Sequence, residues 1–242
     1  MDKKISRIKL NFGPNTEKLE GSMVDAVNGF IHNILGPENK WHDTFSPYSI
    51  SKLHGGSYDK ETKTTNYPNG GYLVVSSSNS DFTDDLLCGM LSAMDAKLLS
   101  MPYLGYTRYN VTTFPDYDIV HIENLRLKRL DKEITFMDAN YIDDLRKHCI
   151  KKLMNNGISQ EEAESLAFEP VSMDKWRVEY VKMKTGTPRQ NVTPSSNITL
   201  KVSGSRVARA KMFELGYGLS TGSCFGFAFT GGEVRRNNNL LV

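Results

Sequence analysis

The amino-acid sequence predicts an α+β protein, and three observations support this prediction. Segments with the two-residue hydrophobic period of half-buried strands are interleaved with segments of helical period. Hydrophobic residues make up 39% of the 242 positions, enough to form a substantial core, so a globally disordered chain is excluded. The elements of the first half follow the order strand, helix, strand, strand, helix, strand, and the second half repeats this order less clearly.

Each element of the first half has its own pattern. Capping residues mark where the helices begin, and glycine and proline mark the turns. The predicted elements are a strand at 5–12, a helix from Ser22 that stops at Gly36-Pro37, strands at 48–53 and 72–76, a helix from Asp81 that carries Leu98, and a strand at 106–114. This βαββαβ order is the ferredoxin-like, or RRM-like, unit at about its usual length.

The second half contains the same types of element with less regular spacing. They are strands at 119–127 and 133–136 (a pair that could also be a hairpin joining two domains), a helix capped by Asp138 and ended by Gly157, a short helix at 159–162, strands at 176–183, 198–202 and 225–229, and a helix at 206–215. We therefore predict two tandem ferredoxin-like domains, residues 1–117 and 118–242. The duplication is inferred from the order of the elements, because no sequence repeat is visible.

Composition excludes several classes of protein. No apolar stretch reaches the roughly 18 residues of a membrane-spanning helix, and the N-terminal residues lack the apolar run of a secretion signal. Cys88, Cys149 and Cys224 stand far apart without a CxxC pair, which argues against a disulfide framework or a cysteine zinc site. We expect a cytoplasmic protein without a membrane partner.

Positive charge is concentrated toward the C-terminus. Residues 1–120 contain 11 basic and 14 acidic side chains, whereas residues 121–242 contain 19 and 14. From Lys175 onward, 11 basic residues stand against three acidic ones. This asymmetry indicates that the C-terminal part faces a polyanion, and a solvated basic face is the alternative interpretation.

A glycine-rich stretch near the C-terminus is the most unusual part of the sequence. Gly216, Gly218, Gly222 and Gly226 fall within eleven residues, a density that excludes a helix interior and permits tight turns and close backbone approach. Successive amides in such a loop can bind phosphate, although a loop that only packs on its own sheet is the alternative. The spacing matches neither a Walker loop nor a dinucleotide fingerprint. Nearby basic residues favour phosphate contact: Arg206, Arg209, Lys211, Arg235 and Arg236.

A second stretch, residues 32–54, concentrates titratable groups. It contains three of the five histidines, namely His32, His42 and His54, and these can exchange protons near neutral pH. His42 lies in a predicted polar loop, and His32 lies off the apolar face of its helix. A single exposed histidine usually has no function, so the prediction of a functional site rests on the clustering of the three histidines.

Metal-dependent chemistry is not indicated. His42-Asp43 resembles part of a helical phosphohydrolase site but lacks the further His and Asp on packed helices. His121 and Glu123 lack the downstream PCxxC of a zinc deaminase, and no HExxH motif occurs. We therefore expect no metal and no other cofactor.

Taken together, the two stretches resemble the RAMP superfamily, and specifically the CRISPR-associated endoribonucleases that cut precursor CRISPR RNA within its repeats (the sixth Cas family). That family ends in a G-h-G-x5-G-h-G motif followed by an aromatic residue, where h is hydrophobic. The chain matches with Gly216-Tyr-Gly218, five residues, and 224–226 followed by Phe227, but Cys224 replaces the expected glycine. The segment 45–53, after a helix and a histidine-bearing loop, also resembles the family.

The resemblance implies metal-independent RNA cleavage. The 2′-OH attacks the adjacent phosphate, leaving a 2′,3′-cyclic phosphate and a 5′-OH, and the catalytic histidine of the family lies where His42 stands. By the same resemblance, Lys52 (or Lys40) would stabilise the charged phosphorane, and Tyr48 or His32 would position the 2′-OH or share the proton transfer. His54 is a further candidate.

Two alternatives stay open at this point. A non-catalytic RAMP-type subunit that holds CRISPR RNA in an effector complex would share the fold and the glycine-rich loop, but it would not need the His–Tyr–Lys cluster. A tandem RNA-binding module unrelated to CRISPR is disfavoured because the RNP1 pattern of aromatics and glycine is missing. The expected partner is CRISPR repeat RNA. Other effector subunits and a second copy of the chain are further candidates.

Overall fold

The computed structural model describes residues 4–15, 23–36, 38–41, 46–59, 61–62, 64–93, 95–184, 190–231 and 233. The elements of the first half are β1 (Lys4–Phe12), α1 (Met23–Leu35), β2 (Tyr48–Ile50), β3 (Ser57–Asp59), β4 (Thr64–Asn66), β5 (Gly71–Ser77), α2 (Ser80–Ser92), β6 (Lys97–Leu98) and β7 (Met101–Thr112). Strands β3 and β4 form a small separate hairpin that the sequence pattern did not predict.

The first half is an antiparallel sheet covered on one face by α1 and α2. Its strand order is β2-β5-β1-β7, with the short β6 added at the edge. Apolar side chains at every second position of β1, such as Leu10, pack with the apolar faces of both helices, such as Ile31 and Leu86. The opposite face of the sheet is turned toward the second half of the chain.

The second half is a similar sheet with helices on one face. Its elements are β8 (Tyr117–Leu125), β9 (Leu127–Arg129), β10 (Lys132–Ile134), α3 (Tyr141–Met154), α4 (Gln160–Glu164), β11 (Ala167–Pro170), β12 (Arg177–Lys184), β13 (Gln190–Ser203), α5 (Arg206–Leu215) and β14 (Phe227–Thr230). The sheet order is β11-β13-β8-β14, and β12 pairs with the first part of the long β13. The four main strands are, in chain order, β1, β2, β5 and β7 in the first half and β8, β11, β13 and β14 in the second half. Across each sheet, the second of these strands lies beside the third, the third beside the first, and the first beside the fourth, so the two sheets have the same strand order.

Two predicted helix boundaries were wrong. The second helix ends at Ser92, so it does not carry Leu98, which instead pairs with Met101 in a tight hairpin whose turn residues have positive φ. The third helix begins at Tyr141 and is not capped by Asp138, because Asn140 occupies the N-cap position. The Asp138 carboxylate instead accepts a hydrogen bond from the Thr135 amide at 2.8 Å, in the turn before the helix.

Two buried ionic contacts join parts of the chain that are distant in sequence. Arg7 on β1 is fully buried and donates to Glu233 at 2.6 Å and to the Ala228 carbonyl at 2.6 Å. Arg209 on α5 is also fully buried and pairs with Asp118 on β8. Because α5 contacts strands of both sheets, the two halves form one packed body around it.

None of the helices in the described ranges is long and apolar enough to cross a bilayer.

Candidate functional site

The glycine-rich loop, residues 216–226, is mostly buried between the two halves. Gly216, Gly218 and Gly226 have φ values of +70°, +73° and +65°, a backbone conformation that L-residues rarely adopt. A Cβ added at Gly226 would overlap the carbonyl oxygen of Tyr217, and one at Gly218 would lie 2.5 Å from the Arg126 carbonyl oxygen. The glycines therefore permit the loop to pack against its own strands, as the alternative interpretation of the motif stated.

Cys224 stands where the glycine of the sequence motif is expected. Its φ of +62° lies in the left-handed region, the conformation for which a glycine is usually selected. The side chain is buried, and burial raises the pKa of its thiol above the usual value. Cys224 thus has a backbone conformation that glycine adopts readily, with a buried thiol in place of a hydrogen.

The loop is fixed on one side by the first half of the chain. A Cβ at Gly222 would lie 3.1 Å from the Tyr48 ring and would also meet Ser46, and one at Gly216 would lie 2.9 Å from the Ser49 Cβ. The Ser49 hydroxyl donates to the Glu214 carbonyl at 3.1 Å. Residues that follow the predicted catalytic histidine loop therefore contact the glycine-rich loop directly.

On its other side the loop is held by Lys152, a residue that the sequence analysis did not identify. Its Nζ donates to the Gly216 carbonyl at 3.1 Å and lies 3.5 Å from both the Leu215 carbonyl and the Thr221 hydroxyl. Burial lowers the pKa of Lys152 from 10.5 to about 8. A signal was present in the sequence, because Lys152 follows Cys149 by three residues and so adjoins the buried face of α3.

His42 and the three residues after it lie outside the described residues, but both flanks of this segment are placed. The Trp41 indole packs edge-to-face on Phe82 and donates to Asp85 at 2.9 Å. Lys40 lies 3.4 Å from Asp81, so its ammonium faces α2. The other flank, Ser46, adjoins Gly222.

Tyr48 and His32 differ in how accessible they are. Tyr48 is buried and stacked on Phe82, with ring centroids 4.1 Å apart, and burial raises the pKa of its phenol. This position in the core is at odds with the predicted catalytic role, because RNA would have to displace the packing to reach the hydroxyl. His32 is half-buried in the last turn of α1, a helix that contacts the 221–223 turn of the glycine-rich loop.

Lys52 belongs to a group of titratable side chains where the two halves meet. We call Lys52, His54, Glu123 and Glu179 the interface cluster. Lys52 Nζ lies 3.9 Å from Glu123 Oε1 and 3.9 Å from Glu179 Oε1, and His54 Nε2 lies 3.2 Å from Glu123 Oε2. Burial tends to raise the pKa of Glu123, but the nearby His54 and Lys52 outweigh that effect, so its pKa is lowered and the carboxyl is ionised near neutral pH.

The basic residues next to the loop are mostly engaged within the protein. Arg209 has no exposed surface and also donates to the Phe114 and Pro115 carbonyls, so the predicted RNA contact at Arg209 is at odds with its position. Arg206 donates to the Thr113 carbonyl at 2.5 Å, and Lys211 donates to the Ser78 hydroxyl at 2.6 Å. Arg235 and Arg236 lie outside the described residues.

The exposed tip of the loop is small and lies next to another arginine. Leu219, Ser220 and Ser223 retain accessible surface, whereas their neighbours in the loop are buried. Arg126 donates to the Ser220 hydroxyl at 2.9 Å and to Glu133 at 2.7 Å. Among the residues that the structure describes, no group of three or more His, Cys, Asp or Glu side chains is arranged to hold a metal ion.

Comparisons with known proteins give the fold a precedent. No protein-family model and no curated protein matches the sequence. A solved structure described as an RAMP protein binding different RNA substrates matches with a TM-score of 0.77 at 15% identity, covering 93% of this chain and 99% of that chain. A Cas6-related protein from Pyrococcus furiosus matches with a TM-score of 0.75 at 15% identity, covering 93% and 98%.

A third structure, a CRISPR-associated Cas6 protein, matches with a TM-score of 0.70 at 16% identity and covers 94% of this chain and 99% of that chain. The chain therefore has the fold of RAMP and Cas6 proteins over almost its whole length. This result agrees with the resemblance found in the sequence.

Proposed function

We propose that the chain is a metal-independent endoribonuclease that cuts precursor CRISPR RNA within its repeats. The observation that carries the proposal is the Cas6-like fold over at least 93% of the chain, together with the contact between its glycine-rich loop and the end of the His42 segment. Catalysis in this proposal rests on side chains of the protein alone.

The reaction needs a proton acceptor for the 2′-OH, a proton donor for the leaving 5′-oxygen, and positive charge near the phosphorane. We assign proton transfer to His42, by its position in the sequence between α1 and β2, and electrostatic stabilisation to Lys52. A positioned proton-transfer group contributes about 10²–10⁴ in rate. We further propose that His32 positions the 2′-OH, because it lies in the last turn of α1, a helix that contacts the glycine-rich loop.

We propose that RNA follows the glycine-rich loop. Gly216, Gly218, Gly222 and Gly226 shape the loop, and its exposed tip would contact the phosphate backbone beside Arg126. Arg206 and Lys211 keep partly exposed side chains and could add charge, as could Arg235 and Arg236. Each released counterion makes binding more salt-dependent, with a slope of about −0.7 per phosphate for single strands.

The chain is further proposed to consist of two tandem ferredoxin-like domains, residues 1–117 and 118–242. Support comes from the identical order of the four main strands in the two sheets. In this proposal the domains are not independent, because Arg209 and Arg7 connect them through buried polar contacts.

A non-catalytic RNA-binding subunit is the second candidate function. One observation favours it: Lys52 lies between two carboxylates, which reduce the positive charge it offers to a phosphate. A subunit of this kind would bind repeat RNA without cutting it.

Incubation of end-labelled cognate repeat RNA with the protein in excess EDTA tests the proposal. The expected result is a single cut that yields a 2′,3′-cyclic phosphate, detected as a 3′ end that resists alkaline phosphatase until mild acid has opened the cyclic phosphate. Tight binding without a cut would support the non-catalytic subunit. A cut that appears only when metal ions are added would contradict metal independence.

A further inference from the structure

We propose that His54, oriented by Glu123, is a second catalytic residue and accepts the proton of the attacking 2′-OH. This inference rests on the proposed ribonuclease function and deepens it. It comes from the interface cluster, in which the first half of the chain contributes the His54 imidazole and the second half contributes the Glu123 carboxylate.

The imidazole of His54 is held in a fixed orientation. The backbone of His54 exchanges two hydrogen bonds with Tyr72, at 2.9 Å and 3.1 Å, so its Cα position is set by β5. The ring stacks on Tyr72 with centroids 5.0 Å apart and planes 15° from parallel, and it meets the Phe229 ring edge-on at 5.4 Å. Such support on two sides preorganises the ring for proton transfer.

Glu123 reaches the same imidazole from the second half. It pairs with Phe227 in the β8–β14 register, so its side chain projects from the sheet face that also carries Phe227 and Phe229, and this face is turned toward β5. Glu123 Oε2 lies 3.2 Å from His54 Nε2 as an ion-pair contact, and within the described residues neither of these buried atoms makes a hydrogen bond. The carboxylate is therefore the polar group that faces this ring nitrogen. An ionised carboxylate at this place favours the tautomer with the proton on Nε2 and stabilises the imidazolium after proton transfer.

The other ring nitrogen is free to act as a base. Within the described part of the chain, His54 Nδ1 has no hydrogen-bond partner, and the side chain retains 17% of its surface. With the proton on Nε2, Nδ1 carries a lone pair. His121, the other histidine of this face, instead bonds the Thr199 hydroxyl at 2.9 Å, and burial lowers its pKa.

Lys52 connects the pair to the proposed phosphate site. Its Nζ lies 3.9 Å from the second oxygen of the same Glu123 carboxylate, so the lysine and the imidazole flank one carboxylate. In the reaction, Nδ1 takes the 2′-OH proton, the 2′-oxygen forms a bond to phosphorus, and the bond from phosphorus to the 5′-oxygen breaks. The 5′-oxygen takes a proton from His42, and both histidines then return to their starting states by exchange with water.

Single-turnover cleavage of repeat RNA in EDTA, measured alongside RNA binding and thermal stability, tests this assignment. His54→Phe keeps a ring between Tyr72 and Phe229 and removes both nitrogens. The expected result is a cleavage rate constant lowered about 10²-fold or more, with a Kd within about threefold of the wild type. His54→Gln, which can still donate to Glu123 but cannot accept a proton, is expected to be equally slow. It keeps the test decisive if the phenylalanine variant does not fold.

Glu123 is a positioning residue in this proposal, so its effect must depend on His54. We expect Glu123→Gln to lower the rate constant about 10-fold in the wild type and to lose most of this effect in the His54→Phe background, where only its contact with Lys52 is left to act. His148→Ala is the matched control, because His148 is a half-buried histidine on α3 whose ring nitrogen lies 3.2 Å from the Lys128 carbonyl. Its cleavage rate is expected to be unchanged.

The outcomes separate this proposal from the function on which it rests. A wild type that cuts, with His54→Phe and His54→Gln cutting equally fast, overturns the role of His54 and leaves the ribonuclease proposal standing. A loss of RNA affinity that accounts for the whole loss of rate also overturns it, because His54 would then only bind RNA. A wild type that cuts no repeat RNA contradicts the proposed function itself.

Discussion

The glycine-rich loop and the interface cluster are both found where the two halves meet, yet their residues can do different things. The loop is buried backbone whose glycines are required by close approach at Gly218 and Gly226. The cluster consists of partly exposed, titratable side chains contributed by both halves. The comparison indicates that the glycine-rich motif determines how the halves pack, whereas the less conspicuous side chains of the interface cluster are the ones to which we assign chemistry.

The largest effect on stability is expected within the loop. Gly226→Ala would force a Cβ into the Tyr217 carbonyl oxygen at a φ of +65°, and we expect a loss of about 4 kcal/mol or more in the free energy of unfolding by urea. Gly157→Ala is the control, because Gly157 has a φ of +79° but no atom within 4 Å of an added Cβ. It should lose only about 1–2 kcal/mol. Equal losses in the two variants would show that close packing of the loop is not important.

Arg209 tests whether a basic residue near the loop serves folding or RNA. Arg209→Met leaves Asp118 buried without its partner and is expected to cost about 3–5 kcal/mol in the free energy of unfolding. The double variant Arg209→Met/Asp118→Leu removes both charges and should recover most of that loss, with RNA affinity unchanged. A stable single variant with weakened RNA binding would instead restore the RNA contact that the sequence suggested.

Lys152 gives the loop a dependence on pH. Its pKa of about 8 in the folded protein lies below its ordinary value of 10.5, so between these values the unfolded chain holds a proton that the folded chain has released. The contribution of Lys152 to stability therefore rises as pH increases through this range. Relative to Lys152→Met, the wild type should gain about 1–2 kcal/mol between about pH 8 and pH 10, less than the full shift implies because the side chain is partly exposed. A difference in unfolding free energy between the two proteins that does not change with pH would contradict the lowered pKa of Lys152.

The smallest effect is expected at Tyr48. Tyr48→Phe keeps the ring stacked on Phe82 and removes only a buried hydroxyl, so we expect a loss of about 1 kcal/mol in stability. RNA cleavage should stay within about twofold of the wild type. A large loss of cleavage at unchanged stability would instead support the catalytic role that the sequence suggested.

Local sequence patterns predicted much of the fold, because the hydrophobic period and the capping residues report local structure. The helix at Arg206–Leu215 and the short helix capped by Ser159 are both confirmed. The hairpin that contains Leu98 was missed because its apolar residue happens to continue the helical period of α2. Asp138 was misassigned because the helix begins later than the pattern suggested, with Asn140 at the N-cap position, so the Asp138 carboxylate bonds the Thr135 amide in the preceding turn.

The candidate site was harder to predict, because its contacts join residues far apart in sequence. Glu123 lies 69 positions from His54, and Arg209 lies 91 positions from Asp118. A charged residue next to a glycine-rich loop looks the same in sequence whether it faces RNA or a buried carboxylate. Only the tertiary structure separates Arg209, which is buried, from Lys52, which is partly exposed.

Parallel measurements of cleavage and binding by the wild type and by His42→Ala test the central claim most directly. Both proteins are incubated with end-labelled repeat RNA in excess EDTA, and their Kd values for the same RNA are measured. The account predicts that the variant loses about 10²–10⁴ in cleavage rate and keeps its RNA affinity, because the loop proposed to bind RNA is unchanged. Undiminished cleavage by His42→Ala would contradict the assignment of the chemistry to this histidine.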